Sequence, residues 1–128
     1  MDDAPPPHFP FPAELARALA DLALAIRAGN VHVVDRRVNR RLLLHARSDG
    51  ASIVALLGTL TSADFHDGPL EDHHASHRTV WVFGPHRDGR QLYVKFAITP
   101  GIAGGPPHLH LWSLHIARHP LALPFGQP

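Results

Sequence analysis

A chain of 128 residues can bury a core without covalent staples, and a formal charge of +1 excludes a protein that coats nucleic acid by bulk charge. With no cysteine, disulfides, thiol catalysis and thiolate metal sites are excluded, and a reducing cytoplasm is the expected location. The start MDDAPPPHFPFP lacks the cationic-then-apolar order of a signal peptide, and LADLALAI is too short, and interrupted by Asp21, to cross a bilayer.

The near-zero charge hides segregation. Residues 36–47 hold five arginines and no acid, residues 64–72 hold four acids and no base, and from Arg78 onward five bases face Asp88 alone. Such a basic stretch suits local contact with a polyanion, or simply a solvated helix face.

In chain order, residues 1–11 read as a proline-rich leader with little to pack. A helix starts at Pro12, with Leu15, Leu19, Leu22 and Ile26 as its apolar stripe, and ends at AGN, 28–30. VHVVD, 31–35, reads as a short strand. RRVNRRLLLHAR, 36–47, reads as a basic helix and ASIVALLGTL as a buried helical stretch. TSAD, 61–64, has the form of a capping box opening a short turn that carries Phe65. RTVWVFG (78–84) and RQLYVKFAI (90–98) read as a hairpin with Asp88-Gly89 at the turn, and HLHLWSLHIA (108–117) as a third strand. The expected fold class is α+β: N-terminal helices on one face of a small antiparallel β-sheet, forming one domain over 12–119 with a proline-rich tail at 120–128.

Strand alternation assigns faces. Leu92, Val94 and Phe96 are expected toward the helices, leaving Tyr93 and Lys95 side by side on the open face. In the last strand strict alternation groups Leu109, Leu111, Ser113 and His115, and sets His108, His110, Trp112 and Leu114 opposite. A face showing tyrosine, lysine and histidine fits RNA cleavage without a metal. A base takes the ribose 2′-hydroxyl proton, an acid protonates the departing 5′-oxygen, and a cation offsets the charge on the phosphate. An exposed strand of no catalytic role also shows such residues. A second reading is a metal bound by His108 and His110, since GGPPHLHL resembles the first metal motif of cupins; the acid and later histidine of that motif have no counterpart here. His73 and His77, four apart, are a further histidine pair.

The motifs AGNV (28–31), LTSADF (60–65), VWVF (80–83), LYVK (92–95) and SLH (113–115) follow one another in the order found in a known family. In this the chain resembles the motility quorum-sensing regulator (MqsR-type) toxins of type II toxin–antitoxin systems, which are RelE-like mRNA interferases. The resemblance implies a RelE-like fold and cofactor-free endoribonuclease activity. It implies mRNA and a cognate antitoxin as partners, with no membrane role and DNA met only through the antitoxin complex. By the same resemblance Tyr93, Lys95 and His115 are the catalytic residues, with Ser113 and His115 on the active face beside Leu109 and Leu111. Arg78 is a second phosphate contact, and Arg36, Arg37, Arg40 and Arg41 bind flanking RNA or a partner. The family's lysine after the DF motif has no counterpart: Asp67 stands there. A non-catalytic relative that binds RNA or an antitoxin is the alternative within this reading. His108 and His110 are expected opposite the active face or at the sheet's edge.

Overall fold

The computed structural model describes residues 12–33, 50–71 and 78–126. The expected leader, the basic helix with Arg36, Arg37, Arg40 and Arg41, and the pair His73 and His77 lie outside the described residues. The architecture is α+β, with two α-helices among the described residues and a six-stranded mixed sheet.

Helix α1 runs Pro12–Ala28. It stops where Gly29 takes a left-handed φ of 73°, and Gly29 N–H and Asn30 N–H donate back to the carbonyls of Ile26 and Ala25. Strand β1 is Val31–Val33 and helix α2 is Gly50–Gly58. The capping box is present: Thr61 N–H donates to the Asp64 carboxylate at 3.0 Å and opens a single 3-10 turn. Strands β2 (Phe65–Glu71), β3 (Thr79–Phe83), β4 (His86–Arg87), β5 (Arg90–Thr99) and β6 (His108–Ile116) follow. Arg87 pairs with Arg90 across Asp88 and Gly89, whose φ of 52° and 75° make the two-residue hairpin turn that the sequence predicts.

The sheet order is β1-β6-β5-β3-β2, with β4 on β5. Two features correct the expected three-stranded antiparallel sheet. β1 joins β6 in parallel, with Val31, His32 and Val33 beside Leu109, His110 and Leu111. The stretch from Phe65 on, to which the sequence analysis assigns no strand, is β2, an edge strand with two register shifts. Its Gly68-Pro69 looks like turn chemistry, but an edge strand tolerates proline because one side of its ladder is unpaired.

One core joins both helices to one sheet face. α1 contributes Leu15, Ala18, Leu22 and Ala25, and α2 contributes Ile53 and Leu57. They meet Phe65, Trp81, Phe83, Val94, Phe96, Ile98, Leu109, Leu111 and Leu114. The α1 stripe is therefore centred on 15, 18, 22 and 25. Leu19 and Ile26 flank it, half-buried, because the small Ala18 and Ala25 let the helix close onto the sheet. Phe83 lies nearly parallel to Phe96, centroids 5.5 Å apart, and Phe65 meets Phe83 edge-on.

Candidate active site on the open sheet face

The opposite face carries the polar residues beside the buried Val80, Val82 and Ala97, and a β-bulge decides which ones. On β5 and β6, Tyr93 pairs with His115 and Lys95 with Ser113, but Phe96 pairs with Leu111. Trp112 is the extra residue, so both ends of β6 obey alternation and the phase jumps between them. Leu109 and Leu111 face the helices and are fully buried, whereas Ser113 and His115 face the open side. The expected grouping of Leu109 and Leu111 with Ser113 and His115 is therefore corrected. So is the expected position of His108 and His110. They pair with Thr99 and Ala97 of β5, on the same face as Lys95, Tyr93 and His115.

At one end of this face Tyr93, Lys95, Ser113, His115, Arg118, His119 and Leu121 line a cleft of about 430 Å³. The Tyr93 and His115 rings are nearly parallel, 13° between planes and 5.1 Å between centroids. His115 Nδ1 lies 2.8 Å from the Ile116 carbonyl oxygen. A carbonyl can only accept, so Nδ1 carries the hydrogen and Nε2 keeps its lone pair. The neutral ring is thus held in the tautomer of a base. The Lys95 ammonium sits 5.6 Å from the centroid of the Trp112 ring, a cation–π pair made by the bulge residue.

The cleft's outer wall comes from the chain after β6. Gln91 Nε2 donates to the carbonyls of Gly84 (3.0 Å) and Leu121 (3.1 Å), while Gln91 Oε1 accepts from Leu121 N–H (2.7 Å). His66 Nδ1–H donates to the Ala122 carbonyl, and Phe125 packs against Phe65 with centroids 5.6 Å apart. The proline-rich tail has no helix or strand among its described residues, yet it is fastened at these points. Arg118 and His119 join the cleft this way. Neither residue is among those the sequence analysis names; the signal for them is their position directly after the last strand.

Tyr93, Lys95 and His115 are thus brought together. Arg78, the residue before β3, is not in the cleft; its charge acts instead on His110. Burial, then the neighbouring His32, Arg78 and His108, pushes His110 below the ordinary imidazole value. Asp67 pairs with Val82 and stands on the open face at the β2 edge. For the cupin-like reading of His108 and His110, no group of three histidines or carboxylates is placed to hold an ion among the described residues. A larger cavity, about 600 Å³, lies away from this chemistry, between α1 and the loop before β6. No helix among the described residues is long and apolar enough to cross a membrane.

Set against protein-family models, curated proteins and solved structures, the chain gives no match in any of the three.

Proposed function

We propose that this protein is an endoribonuclease, an mRNA interferase of RelE-like, MqsR-type character acting in the cytoplasm and held in check by an antitoxin. The observation that carries the reading is the meeting of Tyr93, Lys95, Ser113 and His115 in one cleft with Arg118 and His119. These are the groups that a 2′-hydroxyl attack needs.

In this mechanism His115 Nε2 takes the proton from the ribose 2′-hydroxyl, and O2′ forms its bond to phosphorus. The bond from phosphorus to O5′ breaks, and His119 in its protonated form delivers the proton to O5′. The products are a 2′,3′-cyclic phosphate and a free 5′-hydroxyl. Lys95 and Arg118 offset the charge that builds on the phosphoryl oxygens, and the Tyr93 hydroxyl donates to one of them. No cofactor enters any step.

The alternative, an RNA- or antitoxin-binding relative that does not cut, draws support from Asp67. It puts a carboxylate on the open face where the resembled family has a lysine, and a carboxylate repels the RNA backbone. Incubating the protein with RNA in EDTA separates the readings. Cutting that survives chelation and disappears in His115→Ala is the expected result. Binding without cutting favours the alternative, and cutting lost on chelation overturns the metal-free mechanism.

A further inference from the structure

The far end of the same face carries a second group of side chains. His110 stands beside His32 of β1, and His108 follows one pleat away. A ring nitrogen of His32 lies 3.0 Å from one of His108. Their centroids are 5.3 Å apart and their planes differ by 12°. Ring nitrogens sit on the perimeter and an N–H···N bond runs in the ring plane. The two imidazoles therefore meet edge to edge and form one flat plate. His32 is exposed and His108 half-exposed, so the plate meets solvent. The His110 ring is tilted 24° to His32 at 5.1 Å.

Arg78 is the permanent cation among the described groups that act on His110. The groups acting on His110 are His32, Arg78 and His108, with no carboxylate among them. From β5 come the uncharged Ala97 and Thr99. Asp67 stands on β2, three positions from β6 in the sheet order. Between plate and cleft lies the Lys95–Trp112 pair. Because Trp112 bulges, His110 and His115 stand opposite Ala97 and Tyr93, four residues apart on β5, a span of about 13 Å, the reach of a couple of nucleotides of extended strand. Rings alternating with cations along a groove are the pattern of single-strand binding.

We propose that the His32–His108 plate and Arg78 form a subsite for single-stranded RNA, a base stacking on the plate and its phosphate meeting Arg78. This rests on the RNA reading above and extends it to a nucleotide remote from the cut. The subsite makes no proton transfer; it adds affinity and sets how the strand lies.

The test uses the full chain and a roughly ten-nucleotide oligoadenylate with fluorine at every 2′ position, which binds but cannot be cut. His32→Ala is expected to weaken binding about fivefold or more, His32→Phe to weaken it less because a flat ring remains although its bond to His108 is lost, and Arg78→Gln to weaken it and lower its salt dependence. A melting curve for each variant confirms folding. Equal affinity of wild type and His32→Ala, or loss in His32→Phe equal to that in His32→Ala, overturns the subsite. Wild type that binds the oligomer in this His32-dependent way yet cuts no RNA keeps the subsite and sinks the nuclease. Wild type that cuts RNA but binds the oligomer with no dependence on His32 does the reverse. No binding of the oligomer at all overturns the subsite.

Discussion

Tyr93 stands directly across β5 and β6 from His115, and the two rings lie nearly parallel. The phenol fixes one side of the imidazole while the Ile116 carbonyl fixes its Nδ1 hydrogen. The ring is therefore oriented from two directions, leaving Nε2 as the acceptor.

Replacing His115 by alanine is expected to lower the cleavage rate by roughly 10²–10⁴-fold, the usual worth of a positioned general base. The side chain is half-exposed, so stability should change by about 1 kcal/mol or less. Single-turnover cleavage of RNA alongside thermal melting checks both. Near-full activity in a folded variant would remove His115 from the mechanism.

The bulge at Trp112 makes a prediction about packing. Leu111 is fully buried, so Leu111→Ala should cost about 2–5 kcal/mol. Under strict alternation it would share the solvent face with His115 and its loss would matter little. Urea unfolding of the variant distinguishes the two.

Gln91 holds the tail by two hydrogen bonds to Leu121 and is itself anchored by a third to the Gly84 carbonyl. Gln91→Ala leaves the Leu121 amide and carbonyl without these partners and should lower stability by about 1–3 kcal/mol. Activity should fall as well, because Arg118 and His119 lose their backing. Limited proteolysis is expected to cut the variant sooner near residue 121; an unchanged cleavage pattern would contradict the clamp.

His110 is held below the ordinary imidazole value by burial, then by the neighbouring His32, Arg78 and His108. The folded protein therefore binds fewer protons than the unfolded chain in that range. Stability from this residue is full above the unfolded imidazole value of about 6.5 and declines as pH falls through it toward the lowered folded value. His110→Gln removes the linkage. Acidification should then lower the melting temperature of wild type by more than that of the variant. Parallel slopes for the two proteins would show that His110 is not responsible.

Several elements were legible in the residues themselves. The β3–β5 hairpin follows from β-branched and aromatic runs around Asp88-Gly89, and the end of α1 from Gly29-Asn30. The pairing of Tyr93 with Lys95 on the open face follows from the apolar alternation of Leu92, Val94 and Phe96. Each of these depends on local dihedral preference or on a period of two, which neighbouring residues set unaided. β2 was not legible, because Gly68-Pro69 carries turn chemistry that only an edge position excuses.

Residue chemistry alone determined that tyrosine, lysine and histidine would crowd the last two long strands, and that neither thiol nor disulfide chemistry is open to this chain. The tertiary structure decided which histidines share their face. One extra residue, Trp112, shifts the pleat of β6, burying Leu111 while turning His110 and His115 to the same side. That shift depends on which β5 residues β6 must match, Phe96 inward and Lys95 outward, and a register between strands is a property of two segments. The tail's role has the same origin. Gln91 and Leu121 lie 30 positions apart, and only the folded sheet brings the amide to the backbone it clamps.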